Sequence, residues 1–319
     1  MKILITGSSG QIGTNLGLRL LEQGHEVQGI DRRENTWTDR IPTVLHDLCK
    51  GGVGEVLAQL GDAIFDVVVH LAAHAKVHEL VLHPDRALEN ITDTFHVLEF
   101  CRTTRAPIVF GSSREVYGDI HRHLTDERQA DFVIAESPYS ASKIAGEALI
   151  YSYQRCYGLP HLVFRFSNVY GRYDNDLERM ERVIPLFIRR LSRGETITIY
   201  GKEKVFDFTY VDDCVNGVIS GIERLADQTV QNQTLNLAFG EGHTLPDLCT
   251  YIAEALGIGS PEVVFEPARP GEVLRYIADI RKAQSLLGYQ PRTSLREGIR
   301  KTVAWARESG HLPQTVGGS

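Results

Sequence analysis

The chain has 319 residues, of which 42% are hydrophobic and 24% charged, and its formal net charge is −7. This composition is typical of a globular protein with two domains or one large α/β unit, and it excludes disordered, collagen-like and coiled-coil chains. An acidic chain has no general attraction to nucleic acid or anionic membranes, and the apolar runs are too short to span a bilayer. The five cysteines are scattered without a CxxC pair, which predicts free thiols and a cytoplasmic location.

Short β-type runs alternate with helical patterns along the first half of the chain. Lys2–Thr6 is rich in β-formers, and a glycine-rich turn and a helix with apolar residues four apart follow it. The alternation predicts right-handed βαβ crossovers, and therefore an α/β fold with a Rossmann-like, doubly wound parallel sheet. The other predicted strands are Glu26–Asp31, 43–46, 66–71, 107–111 and His161–Phe166, with a helix at 139–157.

The pattern changes after about residue 168. No glycine-rich or proline-rich linker separates the two halves, which favours a smaller lobe packed on the sheet over a tethered domain. We predict a cofactor-binding domain of residues 1–170 and about 206–240, with an interleaved C-terminal α/β substrate lobe of about 171–205 and 241–319. The predicted helices are 178–193, 212–225, Leu245–Leu256 and 295–307, and the predicted strands are 196–200 and 234–238.

Gly7, Gly10 and Gly13 lie in the turn between the first strand and the first helix. Glycines here let the backbone approach a pyrophosphate, which N–H groups at the positive end of the helix would hold. Asp31 ends the second strand and fits the acidic residue that binds an adenosine ribose, which favours NAD over NADP because a carboxylate repels a 2′-phosphate. Arg32 and the arginine after it weaken this preference, since an arginine there can accept the phosphate.

Tyr139 and Lys143 are four residues apart and therefore share one face of the predicted helix. A nearby ammonium group and a nicotinium ring would both favour the phenolate of a tyrosine, which could then act as a base. Such pairs are common on solvated helices, but Ser113 follows the fifth strand, where the active sites of doubly wound sheets lie. Ser113 would hydrogen-bond the same substrate hydroxyl that Tyr139 deprotonates.

The order of these motifs resembles the extended short-chain dehydrogenase/reductase family. The resemblance covers nearly the whole chain and points to the NAD-dependent nucleotide-sugar epimerases and dehydratases, such as UDP-glucose/UDP-galactose 4-epimerases. It implies that Ser113, Tyr139 and Lys143 are catalytic. It implies NAD contacts from Gly7, Gly10, Gln11, Ile12, Gly13, Asp31, Arg32, Asp47, Leu48, Leu71, Ala72, Ala73, Asn90, Tyr139, Lys143 and Phe166, and substrate contacts from Arg114, Glu115, Asn168, Val183, Tyr200, Arg269, Glu272 and Tyr276.

Some positions depart from the pattern of that family. Many relatives carry a phosphate-binding arginine where this chain has Phe206, so Lys202 or Lys204 would supply the charge or the phosphate would be held less tightly. Dehydratases have an acidic pair where this chain has Arg114 and Glu115, which argues against 4,6-dehydration, although Glu115 leaves it open. Arg114 would bind the carboxylate of a uronic acid sugar if it faces the pocket, and would have no such role if it faces solvent.

Three further features have both a functional and an ordinary interpretation. Tyr276 would form a wall of the sugar pocket that excludes an N-acetyl group, or is a packed core residue. His74 and His78 have a spacing found in metal sites, but no glutamate of an H-E-x-x-H motif lies between them, and we predict no metal. The basic helix at 178–193 is interleaved with acids and lacks stacking aromatics, so we predict no nucleic-acid partner.

Together these features predict an NAD-dependent nucleoside-diphosphate-sugar 4-epimerase, acting on a UDP-hexose or UDP-uronate through a transient 4-keto intermediate. The alternatives are a 4,6-dehydratase or decarboxylase that uses the same C4 oxidation, and a non-catalytic NAD-binding regulator. The resemblance also implies a homodimer formed through helices at 92–102 and 139–157, with Ile144, Leu149 and Tyr153 as its apolar candidates.

Overall fold

The computed structural model describes residues 1–52, 55–56, 64–118, 135–174, 182–268 and 273–312. Its strands are β1 (Lys2–Thr6), β2 (Glu26–Asp31), β3 (Thr43–Leu45), β4 (Val67–His70), β5 (Ile108–Ser113), β6 (His161–Phe166), β7 (Asn168–Tyr170), β8 (Ile197–Tyr200), β9 (Val205–Tyr210), β10 (Gln233–Leu237), β11 (Gly242–Thr244), β12 (Val263–Glu266) and β13 (Arg275–Tyr276). Its helices are α1 (Gln11–Glu22), α2 (Val77–Leu82), α3 (Asp85–Thr104), α4 (Pro138–Tyr157), α5 (Val183–Ser192), α6 (Val211–Ala226), α7 (Leu245–Leu256), α8 (Arg281–Leu287) and α9 (Leu295–Glu308), with a short 3₁₀ helix at Arg114–Tyr117.

The main sheet has seven parallel strands in the order β10-β6-β5-β4-β1-β2-β3. The strand order reverses between β1 and β4, and ligands of such sheets bind in the crevice beyond the carboxyl ends of the strands at this point. The glycine-rich turn follows β1 directly, so the sheet places it at the crevice. The predicted doubly wound α/β fold is confirmed.

Helices cover both faces of the main sheet. On one face α1 and α6 pack together, and Leu16 and Val218 belong to the same fully buried cluster. On the other face α3 and α4 pack together and contribute Leu98 and Ile150 to a second cluster. This double coverage explains the continuous apolar run of β4, because a strand buried on both faces needs no polar side.

The remaining strands form two small sheets beside the main one. In the first, β7 and β13 pair with β9 in parallel and β11 pairs with it antiparallel. In the second, β12 pairs with β8. The chain returns to the main sheet at β10, after α6 has packed against α1. Within the described part of the chain, no helix is both long and apolar enough to cross a membrane.

Seven elements have no counterpart in the sequence prediction: α2, α8, β7, β9, β11, β12 and β13. Each is only two to seven residues long. Residues 178–181 of the predicted helix at 178–193 lie outside the described residues. The prediction is wrong at Arg182, whose backbone is extended, and the described helix begins at Val183. Pro185 explains the late start, because proline is tolerated only in the first turn of a helix.

Two of the three apolar residues expected at a dimer face are buried within the chain itself. Ile144 is 8% exposed and packs in a small cluster that includes Tyr276, and Tyr153 is 7% exposed and donates its hydroxyl to Glu99. Leu149 is partly buried against the cluster under α3 and α4. The exposed apolar residues of α3 are instead Leu88 and Phe95, which lie seven residues apart and so on one face of the helix.

Candidate active site

The glycine-rich turn packs so closely that side chains would not fit in it. A Cβ on Gly7, which has a φ of +76°, would lie 2.7 Å from the backbone nitrogen of Ala72, and one on Gly13 would lie 2.1 Å from the carbonyl oxygen of Gly7. Gly10 is the N-cap of α1 and brings no side chain to the helix start. First-turn N–H groups of a helix have no intrahelical acceptor, so those of Gln11, Ile12 and Gly13 suit a pyrophosphate. The turn therefore fits the phosphates of a dinucleotide.

Two cavities meet at this turn. Both are lined by Gly7, Gly10, Arg32, Leu71 and Ala73. The first cavity extends over the carboxyl end of β2, where Asp31, Asp47, Leu48 and Ala72 line it. The second cavity extends over the carboxyl end of β5, and its predicted residues are Gln11, Ile12, Gly13, Ser113, Arg114, Glu115, Tyr139, Lys143, Phe166, Asn168 and Val183. The predicted cofactor and substrate residues thus fall into two adjoining spaces.

Asp31 is held rigidly at the end of β2. It is 8% exposed, and its carboxylate accepts hydrogen bonds from the backbone nitrogens of Ser9 and Arg33 at 2.9 Å and 3.0 Å. The fold therefore places the buried carboxylate of Asp31 beside the phosphate turn, where an adenosine ribose would lie.

The first cavity also contains residues that the sequence analysis missed. Cys49 donates its thiol to Asp93 Oδ1 at 3.0 Å, and both residues line the cavity with Glu89 and His74. Burial raises the pKa of Asp93 to about 6, and burial together with Asp93 raises the pKa of Cys49 far above its usual range. The thiol therefore stays protonated and acts as a donor. No motif marks these residues, because α3 brings Glu89 and Asp93 to the cavity from a distant part of the chain.

Neither His74 nor His78, the histidines with metal-like spacing, belongs to a cluster of potential metal ligands among the described residues. His70 is 1% exposed and hydrogen-bonds Thr6 and Thr94 at 2.7 Å and 3.2 Å. His74 lies 2.6 Å from Glu89. In the part of the chain that the structure describes, three candidate ligand atoms come within 4.8 Å of one another at Asp47, Cys49 and Asp93.

Ser113 and Tyr139 meet in the second cavity. The observed β5 extends two residues beyond its predicted end and terminates at Ser113, whose side chain hydrogen-bonds Tyr139. Tyr139 lies in the first turn of α4. Ser137 and Ser140 form a reciprocal capping box at this helix start, and Pro138 occupies the first helical position. The local sequence therefore fixes where α4 begins and where Tyr139 points.

Lys143 lies one turn after Tyr139 on the buried face of α4. It is 6% exposed and donates to the carbonyl oxygen of Gly111 at 2.8 Å. Its Nζ lies 5.9 Å from the centroid of the Tyr139 ring and 5.1 Å from that of Phe110. Burial lowers the pKa of Lys143 to about 8, while Asp93 and Glu147 oppose this shift.

The protein by itself does not lower the pKa of Tyr139. Burial raises this pKa to about 12, the hydrogen bond with Ser113 opposes the rise, the charge of Glu115 adds to it and that of Arg114 opposes it. The expectation that Lys143 makes the phenol more acidic is therefore not met by the protein groups alone. The reason is desolvation, which disfavours an anion more than the nearby cations favour it.

Arg114 faces the second cavity and not solvent. Its side chain is 16% exposed, and its guanidinium carbon lies 5.5 Å from the ring centroids of both Phe206 and Tyr276. Its Nε donates to Asn168 Oδ1 at 3.3 Å, and its Nη2 lies 2.9 Å from Glu115 Oε1. Two aromatic faces and two polar partners thus hold the guanidinium in one orientation.

Arg114 places a cation against Phe206, the position where many relatives carry an arginine. Lys202 is exposed and Lys204 is 4% exposed, and neither lines the first or the second cavity. The expected replacement by a lysine therefore receives no support. The guanidinium that lies over Phe206 belongs to the first residue after β5, far away in sequence.

Three predicted site residues lie behind the cavities and do not line them. Asn90 is 4% exposed, and its side chain bonds both backbone groups of His74 and the hydroxyl of Ser142, so it shapes the loop after β4. Tyr276 is 1% exposed and lies beneath Arg114, which supports the interpretation as a packed residue. Tyr200 lies on β8, away from both cavities. Two further predicted residues, Arg269 and Glu272, lie outside the described residues.

A buried ion pair lies directly behind the second cavity. Glu147 on α4 and Arg165 on β6 are joined at 2.9 Å and 2.7 Å, with side chains 0% and 1% exposed. Ser112 and Tyr151 donate to the same carboxylate at 2.6 Å and 2.9 Å. This network ties the strand that carries Ser113 to the helix that carries Tyr139 and Lys143.

Comparisons with known proteins agree with this geometry. Residues 3–238 match the family described as NAD dependent epimerase/dehydratase. The chain is 33% identical over 321 residues to the UDP-glucose 4-epimerase of Mycolicibacterium smegmatis, covering 96% of this chain and 99% of the relative.

Two solved structures are similar over almost their whole length. The structure of Thermotoga maritima UDP-glucose 4-epimerase with UDP-glucose has a TM-score of 0.87 and 29% identity, covering 97% of this chain and 99% of that one. The structure of Bacillus cereus UDP-glucuronic acid 4-epimerase with UDP-glucuronic acid and NAD has a TM-score of 0.86 and 26% identity, covering 97% of this chain and 100% of that one.

These findings confirm the predicted resemblance, including NAD as the cofactor and nucleotide-sugar epimerisation as the type of chemistry. The chain belongs to the NAD-dependent epimerase/dehydratase family.

Proposed function

We propose that this chain is a 4-epimerase of UDP-linked hexoses or hexuronates. The observation that carries the proposal is the meeting of Ser113, Tyr139 and Lys143 in one cavity that adjoins the glycine-rich turn. A hydroxyl group, a phenol and a buried ammonium group beside a dinucleotide site are the groups that a reversible oxidation of a secondary alcohol needs.

The reaction follows from the positions of these side chains. Ser113 orients the 4-hydroxyl of the sugar, and Tyr139 takes its proton as the C4–H bond breaks. NAD bound at the turn supplies a hydride acceptor and a positive ring charge that opposes the raised pKa of Tyr139. The 4-keto sugar turns over about its diphosphate, and Tyr139 returns the proton as the C4–H bond re-forms on the opposite face. Holding the reacting groups in place is one source of the rate enhancement.

Within this reaction, Arg114 favours a substrate that carries a carboxylate. Arg114 lines the same cavity as Ser113, so a sugar whose 4-hydroxyl is held by Ser113 would bring its C6 carboxylate within reach of the guanidinium. Asn168 contacts Nε of Arg114, and Glu115 contacts Nη2. Among the described residues, the two N–H groups of Nη1 have no acceptor. A carboxylate is the natural partner for these donors.

The test is to incubate the purified protein, without added NAD, with UDP-glucose, UDP-glucuronate and UDP-N-acetylglucosamine and to follow the sugars by NMR. Inversion at C4 supports the proposal, and absence of inversion with every substrate refutes it. For the uronate preference, Arg114→Gln should raise KM for UDP-glucuronate about tenfold or more. UDP-glucose is the internal control, since its KM should stay nearly unchanged. An equal effect on both substrates would contradict this role of Arg114.

One observation favours a second candidate, a decarboxylase or dehydratase. Glu115 lines the same cavity and is close enough to Tyr139 for its charge to raise the pKa of that phenol. Its ion pair with Arg114 keeps the carboxylate occupied, which is why epimerisation is preferred here. In the same NMR experiment, loss of CO₂ or water identifies this candidate. Glu115→Gln should then abolish dehydration, whereas it should spare epimerisation.

The site assignments and the assembly form part of the same proposal. Arg269 and Glu272 are expected at the diphosphate and the ribose, and the division at about residues 171–205 and 241–319 is expected to separate the substrate lobe. A homodimer is supported by the exposed apolar residues Leu88 and Phe95 on α3. The five free cysteines favour a cytoplasmic location. Light scattering of the purified protein tests the dimer.

A further inference from the structure

The side chain of Arg32 is held by a chain of contacts at the mouth of the first cavity. Its Nη1 lies 2.9 Å from Nε2 of His74 and its Nη2 lies 3.4 Å from Nδ1, so the guanidinium lies along the imidazole ring. His74 Nε2 lies 2.6 Å from Glu89 Oε2. Arg32 is therefore linked to a carboxylate on α3 through His74.

One neutral tautomer of His74 fits the contact with Glu89 and one of the two contacts with Arg32. Burial lowers the pKa of His74, and the charge of Arg32 lowers it further against the opposing effect of Glu89, so the imidazole is neutral at neutral pH. With its hydrogen on Nε2, the ring donates to Glu89 Oε2, and Nδ1 accepts from Arg32 Nη2 at 3.4 Å. In this tautomer the 2.9 Å approach of Arg32 Nη1 to Nε2 is a contact without a hydrogen bond. A neutral ring bridges the two charges and keeps the guanidinium in place.

His74 is itself fixed to the same helix. The side chain of Asn90 accepts from the backbone nitrogen of His74 at 2.7 Å and donates to its carbonyl oxygen at 3.1 Å. Because Glu89 and Asn90 are neighbours on α3, one turn of this helix holds both the backbone and the ring of His74. The contact with Arg32 is therefore made to a rigid element.

The position of Arg32 matters because of the residue that precedes it. Asp31 lies where an adenosine ribose would be bound, and its carboxylate is fixed by two backbone N–H groups. A free guanidinium next to it would offset the repulsion between Asp31 and a ribose 2′-phosphate. Among the residues lining the first cavity, the four carboxyl side chains of Asp31, Asp47, Glu89 and Asp93 outnumber the two guanidinium groups of Arg32 and Arg33.

We propose that Glu89, acting through His74, holds Arg32 away from a ribose 2′-phosphate and thereby makes the site selective for NAD over NADP. Glu89 is a specificity-determining residue in this proposal, although it touches neither the nicotinamide nor the reacting sugar. The inference concerns the adenosine end of the cofactor, and it stands whether or not the substrate is a UDP-uronate.

The test measures bound nucleotide and requires no turnover. The purified enzyme is equilibrated with NAD and increasing NADP, separated from free nucleotide and denatured, and the released nucleotides are quantified by chromatography. We expect Glu89→Gln to shift the ratio of affinities toward NADP by about tenfold, the effect of one new charge-assisted pair. Adding Arg32→Ala to Glu89→Gln should abolish the shift, because the gain depends on the released guanidinium.

Glu34→Gln is the matched control. It removes one negative charge two residues from Arg32, but Glu34 is exposed and lines neither cavity. The proposal is overturned if Glu89→Gln and Glu34→Gln give the same ratio, or if the unmodified enzyme binds both nucleotides equally. It is also overturned if Arg32→Ala alone weakens NADP binding about tenfold, because Arg32 would then already contact the phosphate. Retained NAD in Glu89→Gln shows that the variant is folded.

Discussion

The buried ion pair behind the active site should contribute a large part of the stability of this protein. Glu147 accepts two hydrogen bonds from Arg165, and the two side chains are 0% and 1% exposed. Burial alone would lower the pKa of Arg165, but Glu147 outweighs this effect and keeps the guanidinium charged. We take Glu147→Gln as the perturbation, because it removes the charge and preserves the size of the side chain.

The expected loss of stability in Glu147→Gln follows from the burial of the charge that remains on Arg165. In Glu147→Gln, Arg165 keeps its charge without a counter-ion, and an amide NH₂ group replaces an oxygen that accepts hydrogen bonds. Removing one partner of a buried pair costs about 3–5 kcal/mol, whereas whole proteins are stable by only about 5–15 kcal/mol. With an unfolding entropy of about 2.1 cal/mol/K per residue, a chain of this length should lose roughly 4–8 °C in Tm.

Urea unfolding and calorimetry measure this change, and the chain offers a matched control. Glu254 and Arg296 are also 2.7 Å apart, but their side chains are 45% and 65% exposed. Water and salt screen such a pair, so Glu254→Gln should leave the unfolding midpoint nearly unchanged. Equal shifts in the two variants, or no shift in Glu147→Gln, would refute the argument that burial determines the cost.

Three further predictions concern the turn, the base and a buried histidine. Gly13→Ala places a Cβ 2.1 Å from the carbonyl oxygen of Gly7 and should lose copurifying NAD on chromatography, whereas Gly259→Ala, with nothing within 4 Å, should retain it. Tyr139→Phe removes the proton acceptor and should lower kcat about 10²–10⁴-fold with NAD still bound, and full activity would contradict that role. Burial, with Lys143 adding to the effect, lowers the pKa of His70 to about 3 in the folded protein. Below pH 6.5 His70 therefore takes up a proton in the unfolded chain but not in the folded one, which favours unfolding. The free energy of unfolding should fall by about 2 kcal/mol between pH 7 and pH 5 because of His70. In His70→Asn the plot of urea midpoint against pH should be flatter over this range.

The main sheet and the catalytic residues were predictable because their determinants are local. The bounds of β1, β2 and β6 agree with the sequence prediction, since each strand is a short run of β-formers between turn residues. Tyr139 and Lys143 share a helix face by spacing alone. Ser113 joins them because parallel strands all end at the same edge of the sheet.

The small strands and the environment of individual side chains were not predictable in the same way. The sequence left open whether Arg114 faces the pocket or solvent, because the answer depends on Phe206 and Tyr276, which come from β9 and β13. It also assigned Asn90 to the cofactor, whereas the amide holds the loop at His74. Contacts between distant segments decide both cases.

The sequence by itself therefore determined the alternating strands and helices of the main sheet, the phosphate turn and the pair of residues that share a face of α4. Periodicity and turn chemistry act within a few residues, so one chain is enough to infer them. Only the tertiary structure decided the electrostatics: the raised pKa of Tyr139, the stacking of Arg114 and the link from Arg32 through His74 to Glu89. Burial and charge pairing depend on which segments meet, and folding alone brings these segments together.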